Sequence, residues 1–224
     1  MIEGLEIVRK AAARRMKLSV DPRSGAVRLV LPRAAALAPA LEWAEAHRGW
    51  IERQRARVPE PWPILPGMTL PFAGQDYVLD WAETHPRKPV IDGNRLVLGG
   101  PADIMTSRLV RWMRAEALRL LDAETREIAA LREISVANVS VGDPRSRWGS
   151  CSSTGDIRYS WRLILAPTHV RRATVAHEVA HRIHMDHSRA FHRLVAELNA
   201  GDPKPAREWL RVHGSRLHWF GREA

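Results

Sequence analysis

His177 and His181 stand four residues apart with Glu178 directly after the first, and His187 follows further along the chain. Residues four apart share a helix face one turn apart, so the two imidazoles can aim at one point. Glu178 projects to the side of that face, where it can reach a water on a metal ion without becoming a ligand. That combination suits metal-assisted hydrolysis. Zn²⁺ would lower the pKa of a bound water towards about 7, and Glu178 would take the proton before attack on a carbonyl or phosphoryl centre.

Two histidines leave Zn²⁺ short of the three protein ligands a catalytic site normally supplies. Each further helical residue turns by about 100°, so on a continuous helix His187 would point away from His181. His187 can complete the set only if the helix ends near His184 to Asp186 and the chain turns back. No Gly marks that break. His192 and Glu197, on the next helical segment, are the competing third ligands, while His184 reads as a solvated or supporting residue.

The elements that must position these groups are legible from pattern. An apolar run from Val170 to Ala180 after Pro167 and Thr168 predicts the helix that carries His177 and His181. Residues 5 to 31 predict a β-hairpin turning at Asp21 to Gly25, and residues 34 to 57 a helix. Prolines 59, 61, 63 and 66 mark the best boundary, giving an N-terminal hairpin-and-helix region over 1–66 and a catalytic domain over 67–224. Strands follow around 77–79 and 95–98 with a turn at Asp92-Gly93-Asn94. Residues 101 to 131 predict a long amphipathic helix burying Leu109, Trp112, Met113, Leu120, Leu121 and Ile128. Strands return over 134–165, then the metal helix, a helix over 188–199 and a last one ending about His213. The class is α+β.

Composition bounds the setting. The chain has 224 residues, 45% of them hydrophobic, enough for a real core. Its single cysteine, Cys151, excludes an internal disulfide and fits a reducing compartment. No signal peptide or membrane-length apolar run is visible, so a cytoplasmic protein with no membrane partner is expected. The formal net charge of +10 could attract nucleic acid, nucleotides or acidic proteins, and charge alone does not choose. An Arg-rich solvated surface is the plain alternative.

The block Arg147-Trp148-Gly149-Ser150-Cys151-Ser152, then Asp156 to Leu163, then Ala166-Pro167, then His177-Glu178-x-x-His181 with His187-Ser188-x-x-Phe191 resembles the YgjP-like family of predicted metal-dependent hydrolases. That family is of the zincin type, near the SprT-like and WLM metallopeptidases. The specific likeness covers about residues 134 to 195. Val179 stands where the family usually has Leu, and Ser160 where it often has Asn. The resemblance implies one Zn²⁺ held by His177, His181 and His187, with Glu178 as base. It also implies a mixed or antiparallel sheet beside the metal helix, its edge strand open to an extended peptide. Arg147, Trp148 and Tyr159 are then candidates for substrate contact, and Arg147, Tyr159, His213 and His218 for the oxyanion. Three functions follow as expectations: a metallopeptidase acting on protein or peptide; a hydrolase of a non-peptide bond such as a nucleotide phosphoanhydride; and a nucleic-acid-associated protease.

Overall fold

The structure is a computed structural model that describes residues 2–21, 24–144 and 146–222. It divides into two compact units, with the division between Trp62 and Pro63, inside the proline-rich joint.

The N-terminal unit holds three strands, β1 (Leu5–Lys10), β2 (Lys17–Val20) and β3 (Val27–Pro32), followed by α1 (Leu37–Ala46) and α2 (Arg48–Arg55). The expected hairpin is the β2–β3 pair, and β1 adds to it parallel to β3. Of the expected turn, Pro22 and Arg23 lie outside the described residues. Gly25 takes φ +68°, a left-handed conformation that glycine adopts without a Cβ clash. Alternate β3 residues Leu29 and Leu31 bury against Ala40 and Ala44 of α1. The single helix expected over 34–57 is two helices. The His47 ring hydrogen-bonds the Trp43 carbonyl at 2.7 Å, while the His47 amide donates to Ala44 instead. The helical ladder is broken there because a side chain occupies the carbonyl it needs.

The larger unit is mixed α+β. A four-stranded sheet runs in the order β4 (Thr69–Phe72), β5 (Gln75–Trp81), β7 (Arg95–Leu98), β6 (Val90–Asp92). The turn at Gly93, φ +59°, joins β6 to β7. Helix α3 (Met105–Ala130) buries Leu109, Met113, Ala117, Leu121 and Ile128. Trp112 and Leu120 are half-buried, and Trp112 stacks on Phe72 with ring centroids 4.8 Å apart.

A second, three-stranded sheet has the order β8 (Asn138–Gly142), β10 (Asp156–Ser160), β9 (Gly149–Cys151), with β8 parallel and β9 antiparallel to β10. Beside β9 packs α4 (Thr168–Ala180), which also contacts α3, α5 (Arg189–Leu198) and α6 (Lys204–Leu217). The last helix is a turn longer than its pattern suggested. The Arg162 guanidinium, almost fully buried, bonds Asp143 and the carbonyls of Leu217 and Phe220, which satisfies the end of α6.

Two adjacent arginines fix α4 on α3. Arg171 forms a buried forked pair with Glu124 at 3.0–3.1 Å, and Arg172 pairs with Glu127 nearer the surface. A buried ion pair adds little net stability over an apolar one, but removing one partner strands a charge, so it specifies the arrangement. No helix among the described residues is long and apolar enough to cross a membrane.

Candidate metal centre

The histidines occupy the end of α4 and the loop that follows. Regular helix stops at Ala180, earlier than expected, and a tight turn continues to Ile183, whose amide bonds the Ala180 carbonyl three residues back. The His181 ring then bonds the His184 carbonyl, with Nδ1 3.0 Å from its oxygen. The turn back requires no glycine, since none of residues 181 to 188 has a positive φ. Asp186 accepts from the Ser188 amide, Ser188 caps α5 by accepting from the Phe191 amide, and His187 is fixed between them. Arg182 ties the turn to the segment before β8 through the Ser135 carbonyl and to the β9–β10 turn through that of Ser153.

His177, His181 and His187 each offer a ring nitrogen, and the three atoms lie within 4.8 Å of one another. The Nε2 atoms of His177 and His187 are 3.4 Å apart. Two ligands at about 2.0–2.1 Å on a tetrahedral zinc ion are separated by about 3.3 Å, so this pair stands at ligand spacing. The His184 carbonyl can only accept, so His181 must donate from Nδ1, leaving its Nε2 lone pair bare for a ligand bond. Burial, then the neighbouring charges of His181, His187 and Arg207, push the His177 pKa down to about 4. The ring is therefore neutral at physiological pH, as a metal ligand must be. The three-imidazole donor set, the His177–His187 spacing and the His181 tautomer suit one Zn²⁺.

Phe191 supplies the floor of this cluster. Its fully buried ring stacks on His181 at 4.5 Å and lies edge-on to His177 at 5.0 Å. The competing ligands stand elsewhere. His192 is on the exposed side of α5, its ring 6.3 Å from that of His187, and Glu197 pairs with Arg132.

Glu178 is 5% exposed and lies against Gly149 of β9. A β-carbon at position 149 would sit 2.5 Å from Glu178 Oε1 and 2.6 Å from its Cγ, so only glycine lets the strand come this close. Burial raises the Glu178 pKa to about 7, opposed by the positive charge of Arg147.

A cavity of about 260 Å³ opens from His177 and Glu178 between β9, α4, α5 and α6. Arg147 and Trp148 line it. Trp148 is held in place by α6: its ring stacks on His218 at 5.1 Å, and a β-carbon at Gly214 would fall 2.8 Å from it. Tyr159, the third residue expected at the substrate, is fully buried, with its hydroxyl 3.1 Å from Thr125 of α3 and its pKa raised by burial. His218 stands behind Trp148 and His213 is exposed on α6, against Trp209.

Three contributors escaped the sequence reading. Phe191 was visible only as part of a motif, although its place three residues after a capping serine marks it as the first inward position of α5. Gly149 likewise stood only within the quoted block, and Arg207 carried no local signal, because the neighbours of both are set by tertiary packing.

With the geometry in hand, comparison with known families matches residues 14–213 to the family described as YgjP-like, metallopeptidase domain. No curated protein and no solved structure gives a significant match.

Proposed function

Because the chain belongs to the YgjP-like metallopeptidase domain family, we propose that it is a zinc-dependent peptidase in which His177, His181 and His187 hold the metal and Glu178 is the general base. The observation that carries this reading is the convergence of three ring nitrogens within 4.8 Å beside a buried carboxylate. Zn²⁺ in such a site supplies a Lewis acid and an acidified water.

The chain's own residues account for the rest. His181 is oriented by the His184 carbonyl and His187 by the capped start of α5, so the ligand set is organised by backbone rather than by mobile side chains. Glu178 takes a proton from the attacking water and returns it to the departing amide nitrogen. Burial favours the protonated carboxyl and the nearby charge of Arg147 favours the carboxylate, so the surroundings of Glu178 support both halves of the transfer. Phe191 closes the inner side of the cluster against all three histidine rings.

An extended peptide has a place to lie. The Trp148 carbonyl and the Ser152 amide both bond to β10 or its turn, at Ser160 and Asp156. By the alternation of an antiparallel ladder, Gly149 and Cys151 direct their backbone groups away from β10, towards the outer edge of the sheet. Those groups would pair with a substrate backbone beside Glu178.

The test is a digest of a denatured protein library by zinc-loaded wild type and Glu178→Gln protein, with new peptide termini identified by mass spectrometry. Termini produced by wild type and lost in the variant, with zinc retained by both, support the assignment. Absence of new termini with zinc-loaded wild type would overturn it.

A further inference from the structure

The cavity beside the histidines has an apolar floor and a positive rim. Ala173, Val195 and Ala206 of its lining are buried. Arg147 and Arg207, both exposed, also line it, from positions sixty residues apart in the sequence. Glu178 is the sole carboxylate among the lining residues, and the proposed mechanism uses it for proton transfer.

Several arginines of this unit are neutralised. Arg162 pairs with Asp143, Arg171 with Glu124, Arg172 with Glu127 and Arg211 with Glu208. Among the described residues, neither Arg147 nor Arg207 has a side-chain hydrogen bond or an ion pair. A solitary solvated arginine is ordinary, but two at one cavity beside a reactive centre leave a guanidinium pair with its anion missing. The planar fork of a guanidinium matches a carboxylate with two parallel hydrogen bonds. Size narrows the occupant. Ligand pockets commonly run to roughly 300–1,000 Å³, and about 260 Å³ suits one amino-acid residue better than a nucleoside triphosphate.

We infer that this cavity selects a carboxylate-bearing residue next to the bond that is cut, its stem on Ala173, Val195 and Ala206 and its carboxylate between Arg147 and Arg207. The carboxylate can belong to an acidic side chain or to the C-terminus of a peptide. The inference rests on the peptidase reading above, but its ligand preference is measurable without turnover.

The experiment uses acetylated pentapeptides that differ at one position, bearing Glu, Gln, Leu or Lys, each as free acid and as C-terminal amide. Binding is measured to zinc-loaded Glu178→Gln protein, and cleavage by wild type. A pair of charge-assisted hydrogen bonds predicts a preference for Glu over Lys of roughly 10- to 100-fold. Arg207→Glu should reverse that order, Arg207→Gln should flatten it, and Arg207→Lys should restore part of it. Arg207 is exposed, so unfolding curves of these variants should overlay wild type. Tighter binding of every free acid than of its amide assigns the carboxylate to the C-terminus, and a Glu preference that survives amidation assigns it to the side chain. Equal binding of all four peptides, unaltered by Arg207→Glu, overturns the inference. So does a nucleoside triphosphate that binds more tightly than every acidic peptide. Carboxylate-selective binding without cleavage by wild type upholds the pocket and removes the peptidase reading instead.

Discussion

Gly149 and Glu178 meet so closely that the strand carrying one has no room for a side chain without displacing the other: a β-carbon at 149 would lie 2.5 Å from Oε1 and 2.7 Å from Cδ of the carboxylate. The contact sets the distance of the edge strand from the metal helix, and so aligns a peptide on β9 with the base on α4. Gly149→Ala should therefore misplace Glu178 while leaving the histidines untouched. A displacement of about 1 Å near reacting groups costs on the order of 10²-fold in rate. The expected outcome is zinc content equal to wild type with kcat/KM on a cleaved peptide reduced by about that factor. Unchanged kcat/KM would show that Glu178 moves without consequence.

Phe191 gives a second prediction. It touches all three histidine rings, so its loss acts on the ligand set and on the core at once. Phe191→Ala should destabilise the protein by about 3–5 kcal/mol. It should also weaken zinc binding by about 10- to 100-fold, the range seen when groups supporting metal ligands are removed. Phe191→Leu keeps most of the bulk and separates the two effects: stability should largely recover, affinity less so. Competitive zinc titration and denaturant unfolding read them independently, and full recovery of affinity in the Leu variant would reduce Phe191 to a packing residue.

The raised pKa of Glu178 predicts a pH dependence in metal-free protein. Its folded value of about 7 stands above the ordinary 4.5, so between those two pH values the folded state holds the proton more tightly than the unfolded chain. Raising pH through that window therefore destabilises the folded state, by roughly 3 kcal/mol in total. Gln at 178 does not titrate. The Glu178→Gln protein in chelator should match wild type at pH 4.5 and exceed its stability by roughly that amount above pH 7. His177, held down near pH 4, slopes the opposite way in both proteins and cancels in the difference. A stability difference that does not vary with pH would place the Glu178 carboxylate in solvent.

The chemistry was more legible in the sequence than the architecture around it. His177, Glu178 and His181 are local to one helix, and helical geometry alone brings two imidazoles to one side. His187 could be tied to them only by requiring a break, and the break is made without a glycine because the His181 ring takes a carbonyl that a continuing helix would use. The helix expected from residue 188 is α5, with Ser188 as its N-cap. By contrast, β1 joins β3 across an intervening strand, and such parallel pairing leaves no mark in residue alternation. Tyr159 shows the same limit at the site: its alternation marks a strand residue, but only the packing of α3 decides that its hydroxyl meets Thr125 rather than substrate.

The most direct measurement is zinc-edge X-ray absorption on wild-type and His187→Ala protein, each loaded with one equivalent of metal. The account predicts three imidazole nitrogens at about 2.0–2.1 Å in wild type and two in the variant, with one further light atom completing the shell in wild type. A sulfur neighbour at about 2.3 Å, which would implicate Cys151, or a variant spectrum indistinguishable from wild type would contradict it.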